Sequence, residues 1–441
     1  MTTSKLSARL CRWDKTYPDK KIFYNLKILI MKKSSRPYLT SSIPIVFKNA
    51  FPEVYPNNAK YWGNIPRKEL HSLLPDGTAK LLMMDVDFGN HCSLRCPHCF
   101  RRDDRFDKID SDHRALSPEE IIGYIKEAKE LGLKEIKILG RGEPFENPDF
   151  LGFLREMTKM DIGVGIVTKG HVLGSDILAK KYNSQYGINT SRDLIAELYN
   201  LKVSIFLGFN SFNQKTQEDF IGIENSPIKE YVRFRDRALV LLVKAGFNKY
   251  IPGQATRLSL VSAPIKPENM EEIFNIFTWA RVRNIYMLSC PTAISGKGID
   301  ELNREYKTYS GDETDQYENY IKDLKELYTK IYNWSIVKKL IPMETFKKDG
   351  VSLYPGCHVC NQVAAGFYLT LSGMVVQCGG RCDDQVIFSK DIRKCKSLKE
   401  LWINCPNYKR ALGKNYNYHC PARDGISIPN SFYRDVKAKI I

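Results

Sequence analysis

Three cysteines fall within one short run, Cys92-Ser-Leu-Arg-Cys96-Pro-His-Cys99, and thiolates this close together point to metal ligation. The C-x3-C-x2-C spacing sets them on a single tight loop, directly after an apolar strand-like run from Leu81 to Phe88. Three thiolates can hold three irons of a 4Fe-4S cluster and leave the fourth iron open to a small molecule. Zinc is the alternative. A structural zinc site normally closes with four ligands, usually from two separated C-x2-C pairs, and this loop offers three.

A second motif follows. The strand-like run Glu135 to Leu139 leads into Gly140-Arg141-Gly142-Glu143-Pro144, and Asn147-Pro148 opens a helix. In this order the two motifs resemble the radical S-adenosylmethionine (SAM) superfamily, in which C-x3-C-x-Φ-C carries the cluster and a G-G-E-P-like segment holds the methionine end of SAM. The resemblance covers about Leu81 to Leu288 and touches the C-terminal cysteines. It implies that Cys92, Cys96 and Cys99 ligate the cluster and that His98 fills the usually aromatic slot near the adenine. Glu143 would accept hydrogen bonds from the SAM ammonium, a charge-assisted contact, while Gly142 lets the backbone approach. Arg141 stands where the family has its first glycine, beside the methionine carboxylate.

Two further strand ends resemble SAM-site segments. Val167-Thr168-Lys169-Gly170 is similar to a T-N-G segment with lysine in place of asparagine, which leaves Thr168 as the implied contact. Gly208-Phe209-Asn210-Ser211 is similar to a segment often reading S-L-D-S; contact by Asn210 or Ser211 is weighed against ordinary turn capping.

Cys357, Cys360, Cys378, Cys382, Cys395, Cys405 and Cys420 crowd the C-terminal region. Cys360-x12-Gly373-x4-Cys378 resembles the opening of a SPASM extension, and Cys357-x2-Cys360 followed by Cys378 resembles the shorter twitch arrangement. The dense C-x2-C-x5-C-x3-C block of a full SPASM is missing. The resemblance implies one auxiliary Fe-S cluster, on Cys357, Cys360, Cys378 and either Cys382 or Cys420, and leaves a second open. Zinc is the rival, since C-x2-C plus C-x3-C suits it too. Cys11 and Cys290 stand alone and read as small buried residues.

The resemblance implies a radical SAM enzyme that reductively cleaves SAM to a 5'-deoxyadenosyl radical and abstracts a hydrogen atom from its substrate. The expected substrate is a ribosomally made peptide or a protein side chain, with a small metabolite or cofactor precursor as the alternative. From a different class, the chain would be a non-catalytic Fe-S module for electron transfer or nucleic-acid binding.

The elements that must position these residues alternate along the chain. Strand signals recur at Leu81–Phe88, Ile136–Leu139, Gly163–Val167, Val203–Phe209, Leu258–Val261 and Ile285–Leu288, with helical stretches between them. Ser117-Pro118-Glu119-Glu120 reads as a capping box with proline at the first helical position. Six such units predict an α/β protein, a partial (β/α)6 TIM-like barrel with a small cysteine-rich C-terminal extension. Both motifs then fall at C-terminal strand ends, where barrel chemistry sits. The expected organisation is an N-terminal extension over 1–80, a core over 81–300, a helical linker over 301–350 and an auxiliary Fe-S domain over 351–441. In the first of these, Phe23–Met31 and Ile43–Phe47 are isolated apolar runs; in the third, Tyr317–Trp334 reads as a charged helix bridging out of the barrel. Ala365–Leu371 and Met374–Gln377 flank Ser372-Gly373 like a hairpin.

Composition bounds the rest. Of 441 residues 43% are hydrophobic and 12 are cysteine. No apolar run approaches the roughly 18 residues that span a membrane, and the first residues lack a signal-peptide core. A cytoplasmic location and metal-bound thiols rather than disulfides are expected. With 67 basic and 50 acidic residues, the formal charge is +17. The charge suits an acidic electron donor such as a flavodoxin or ferredoxin, but its scatter gives no expectation of nucleic-acid or membrane binding.

Overall fold

The computed structural model describes residues 37–48, 69–101, 114–293, 295–298, 314–357, 360–382, 386–413, 420 and 422–440. The run Phe23–Met31 lies outside them.

Six parallel strands lie side by side in sequence order: β1 (Met83–Val86), β2 (Glu135–Ile138), β3 (Gly163–Thr168), β4 (Ser204–Gly208), β5 (Leu258–Ser262) and β6 (Tyr286–Ser289). Side chains along a strand alternate between faces, and here the two faces carry different chemistry. Met84, Val86, Ile136, Ile138, Ile166 and Ile205 pack with the helices in one continuous core. On the other face Asp85 stands opposite Lys137, Lys137 opposite Gly165, and Phe206 opposite Ser259. Charged and small residues there mark the concave side of the partial barrel. The sheet does not close on itself.

The helices form where the local signals place them. Pro118–Glu130 starts on the capping box: Glu120 N–H donates to Ser117 Oγ at 3.2 Å and Ser117 N–H to the Glu120 carboxylate at 2.9 Å. Its Ile121, Ile125 and Ala128 are buried at helical spacing.

The C-terminal region joins the same sheet. β7 (Gly366–Leu369) pairs in parallel with the free side of β1, and β8 (Val375–Val376) and β9 (Ile387–Ser389) follow antiparallel. The expected hairpin is thus present as β7 and β8, and it extends the core sheet. Asn407 ties this region down, donating to the Gly366 and Gln377 carbonyls at 2.7 and 2.9 Å.

The long charged helix, Thr314–Val337, is not a bridge leading away from the barrel. Ile321, Leu324, Tyr328, Ile331 and Ser335 recur every three or four residues and are buried. This face packs against the helix Pro267–Arg281 and, through Tyr328 and Phe432, against the C-terminal helix Phe432–Lys437. In the N-terminal part, Leu39 and Ile43 are buried in the main core, and Phe47 N–H donates to the Val282 carbonyl at 3.0 Å.

Candidate functional site

The loop Cys92–Cys99 leaves the end of β1 and is pinned from several sides. At its base Arg101 pairs with buried Asp87 at 2.7 Å, and Tyr368 of β7 donates to the same carboxylate at 2.6 Å. Within it, Ser93 donates its backbone N–H and its hydroxyl to Glu146 Oε2, at 2.9 and 3.0 Å. Glu146 also holds His171 Nε2 at 2.5 Å and His91 Nε2 at 3.2 Å. Burial works against the charge on Glu146, but its bonds to His171 and Ser93 and the nearby His91 hold the carboxyl below its usual range.

Backbone contacts complete the mounting. Glu143 N–H donates to the His91 carbonyl at 2.8 Å, and a Cβ on Gly142 would stand 2.1 Å from that carbonyl oxygen. Gly142 therefore lets the two motifs touch. Gly222 and Gly296 meet the loop in the same way, at the carbonyls of Arg95 and Cys99.

Above the strand ends lies a cavity lined by Cys92, Cys96 and Cys99 on one side and by Gly142, Glu143 and Thr168 on another. His98 also lines it, its ring 5.3 Å from that of Phe220. Glu143 is buried; its Oε1 accepts from Thr168 Oγ1 at 2.5 Å and its Oε2 from Lys169 N–H at 2.9 Å. Burial raises its pKa, an effect that nearby His171 and these bonds only partly offset. Burial likewise pushes the Cys92 thiol up, so ionisation there calls for a compensating cation.

Arg141, the departure from G-G-E-P, lines the cavity and donates to Asn90 Oδ1 at 3.1 Å. Lys169 lies across Gly208, whose absent side chain leaves it room: a Cβ there would stand 2.9 Å from Lys169 Cδ. The two departures at strand ends β3 and β4 thus fit one another.

Asn210 lines the cavity, with its Nδ2 donating to the Ala263 carbonyl at 3.1 Å. Ser211 does not line it. Its hydroxyl donates to Glu272 at 2.7 Å and accepts from Asn213 N–H at 2.8 Å, which is turn capping.

A second cavity adjoins the first on the concave side of the sheet; Phe100, Leu139, Val167, Val261 and Ala263 line both. Cys360, Cys378 and Cys420 face this second cavity. Cys357 does not line it: its Sγ lies 3.4 Å from the Met287 carbonyl and it packs with Phe206 and Leu288. Cys382 is buried elsewhere, among Tyr368, Met374, Val376 and Val386. Cys290, read from sequence as a small buried residue, is buried and also lines the second cavity. Burial pushes the Cys420 thiol up to about 12. Among the described residues no three His, Cys, Asp or Glu side chains converge as they would on a single metal ion. Cluster thiolates each sit on their own iron, a wider arrangement than single-ion ligation.

Sequence reasoning passed over Glu146, His171, Asp85, Lys137 and Arg423. Asp85 and Lys137 form an ion pair at 2.9 Å inside the second cavity, and Lys137 Nζ donates to Gln362 at 3.2 Å. Their signal was legible: Asp85 is the one charge in β1, and Lys137 stands between Ile136 and Ile138 in β2. Glu146 and His171 had none, because their meeting depends on how the loops after β2 and β3 pack.

Residues 86–280 match the radical SAM superfamily. A probable GTP 3',8-cyclase of Pyrococcus horikoshii is 26% identical over 129 residues, 29% of this chain and 39% of the relative. The probable GTP 3',8-cyclase of Pyrococcus abyssi gives the same figures. The chain thus spans about two fifths of the length of these curated relatives. Among solved structures, Streptococcus suis SuiB bound to precursor peptide SuiA shares 18% identity over 78% of this chain and 69% of its own, with a TM-score of 0.43. Native anSMEcpe with AdoMet and the Cp18Cys peptide shares 12% over 81% of this chain and 95% of its own, with a TM-score of 0.47.

Proposed function

We propose that this chain, whose residues 86–280 match the radical SAM superfamily, is a radical SAM enzyme that acts on a side chain of a ribosomally made peptide or a protein. The enzyme uses a 4Fe-4S cluster and SAM; when bound, they supply a 5'-deoxyadenosyl radical that abstracts a hydrogen atom. The donor set fits: three thiols line a cavity that a buried carboxylate, Glu143, lines as well. In this reading Cys92, Cys96 and Cys99 hold the cluster. Glu143 takes the SAM ammonium, with Thr168 and Lys169 N–H keeping its carboxylate in orientation. Gly142, His98 and Asn210 shape the remaining wall, and Ser211 supports the β4 turn from behind. Cysteines of the C-terminal region hold an auxiliary Fe-S cluster in the adjoining cavity, and an acidic flavodoxin or ferredoxin delivers electrons to the basic surface.

One observation carries the choice of substrate. Of the five cations lining the two cavities, four are held by protein groups: Arg101 by Asp87, Lys137 by Asp85, Arg141 by Asn90, and Arg423 by the neutral carbonyls of Pro291 and Thr292, with Lys169 as the remaining one. A nucleoside triphosphate needs several cations aimed at its phosphates. A peptide side chain entering a largely apolar space does not. The stretch of likeness to the Pyrococcus proteins supports the second reading, a nucleotide such as GTP.

The test uses the anaerobically reconstituted full chain with reductant and SAM, measuring 5'-deoxyadenosine with short peptides encoded beside the gene and, separately, with GTP. Stimulation by a peptide together with a change in that peptide's mass is the expected result. Consumption of GTP, with every peptide inert, would replace the peptide reading with the nucleotide one.

A further inference from the structure

Four thiols from distant parts of the chain face the second cavity: Cys290 just beyond β6, Cys360 before β7, Cys378 after β8, and Cys420 near the C-terminus. Beside them lies Arg423, only 4% exposed. Its Nε donates to the Pro291 and Thr292 carbonyls at 3.2 and 3.1 Å, and its Nη2 reaches Cys290 Sγ at 3.6 Å. No carboxylate among the described residues forms an ion pair with it. Burying a guanidinium without an anionic partner is unfavourable, so this one calls for negative charge nearby. Neutral thiols do not supply it; thiolates on iron do. The space around the group is also kept open, since a Cβ on Gly380 would stand 3.0 Å from Arg423 Nη1 and 3.7 Å from Cys378 Sγ.

We infer that Cys290, Cys360, Cys378 and Cys420 are the ligands of one Fe-S cluster and that Arg423 is its counter-cation, an inference resting on the reading that C-terminal cysteines hold an auxiliary cluster. Cys290 takes the place that sequence resemblance assigns to Cys357. Four protein thiolates leave no iron of a 4Fe-4S cluster open, so this cluster carries electrons and does not ligate substrate. Because Cys290 follows β6, the cluster is fastened to the catalytic sheet as well as to the C-terminal region. The cavity it faces shares a wall with the SAM cavity, which suits electron exchange with a substrate held between them.

The experiment isolates the auxiliary iron in a full chain carrying Cys92→Ala, Cys96→Ala and Cys99→Ala, reconstituted anaerobically. Iron, acid-labile sulfide and zinc are then counted. About four irons per chain are expected to remain. Adding Cys290→Ala should bring iron and sulfide below about half of that, while adding Cys357→Ala or Cys382→Ala leaves them unchanged; far-ultraviolet circular dichroism checks the fold of each variant. Full iron in the Cys290→Ala variant, with loss in the Cys357→Ala variant, overturns the ligand set. No iron in the parent triple variant, or zinc in its place, overturns the auxiliary-cluster reading beneath it. A second measurement does not depend on removing a thiol. Arg423→Gln removes positive charge beside the cluster and should make its reduction potential more negative, with Arg423→Lys restoring much of the shift. A potential equal in all three proteins removes Arg423 from this role.

Discussion

Glu143 combines two demands that oppose each other. In the proposed role it must be ionised to hold an ammonium, yet it is buried, and burial raises its pKa above the ordinary 4.5. SAM bound there would resolve the conflict by bringing the counter-charge. Glu143→Gln keeps the shape and removes that charge, and a hydrogen bond to a charged group is worth roughly 1.5–3 kcal/mol. SAM affinity measured by calorimetry should therefore fall about 10- to 150-fold; unchanged affinity would remove Glu143 from the site. The same residue predicts a pH effect on the SAM-free protein. With the folded pKa above the unfolded one, the unfolded state loses the proton first as pH rises. Stability then declines from about pH 4.5 up to the raised folded value and stays lowered beyond it. The Gln variant lacks this decline, so its melting temperature relative to the natural protein should climb with pH through that window. A constant difference across pH would contradict it.

Between elements, the close approach of the loops after β1 and β2 is set by a missing side chain. A Cβ at Gly142 would meet the His91 carbonyl at 2.1 Å, closer than real contacts allow, so Gly142→Ala must push the two loops apart. The expected result is loss of iron at Cys92, Cys96 and Cys99 and weaker SAM binding with the secondary structure retained. Iron content and SAM affinity at natural levels would show the loops to be more compliant than this packing indicates. The helix Pro118–Glu130 provides the contrast. Ser117→Ala removes its cap and should cost about 0.5–2 kcal/mol in denaturant unfolding, but its bonds stay within its own first turn. SAM affinity should be unaffected, and a parallel loss would mean that this helix bears on the site.

Over the whole molecule the charge of +17 governs encounters more than structure. A surface neutralising six to ten phosphates would lose roughly 10³- to 10⁵-fold in affinity between 50 and 200 mM salt. Gel-shift titrations at both salt levels are expected to show no tight nucleic-acid binding; submicromolar binding with so steep a slope would move the substrate to nucleic acid. What the sequence by itself determined is what short-range chemistry encodes. Short apolar runs announced the six parallel strands, Ser117 and Glu120 announced a helix start, and three cysteines on one loop need no tertiary argument to be neighbours. No helix among the described residues is long and apolar enough to cross a membrane, in keeping with the composition. Only the tertiary structure decided which distant residues meet. Spacing could join Cys357 to Cys360 but not Cys290 to Cys420, because partners so far apart are brought together by the pairing of β7 with β1 and the packing of the C-terminal segment over the sheet. Likewise Asn210 and Ser211 are adjacent in sequence and equally polar, yet one faces the cavity and the other caps a turn. Neighbouring side chains leave the backbone in different directions, and only the fold says which direction is the site.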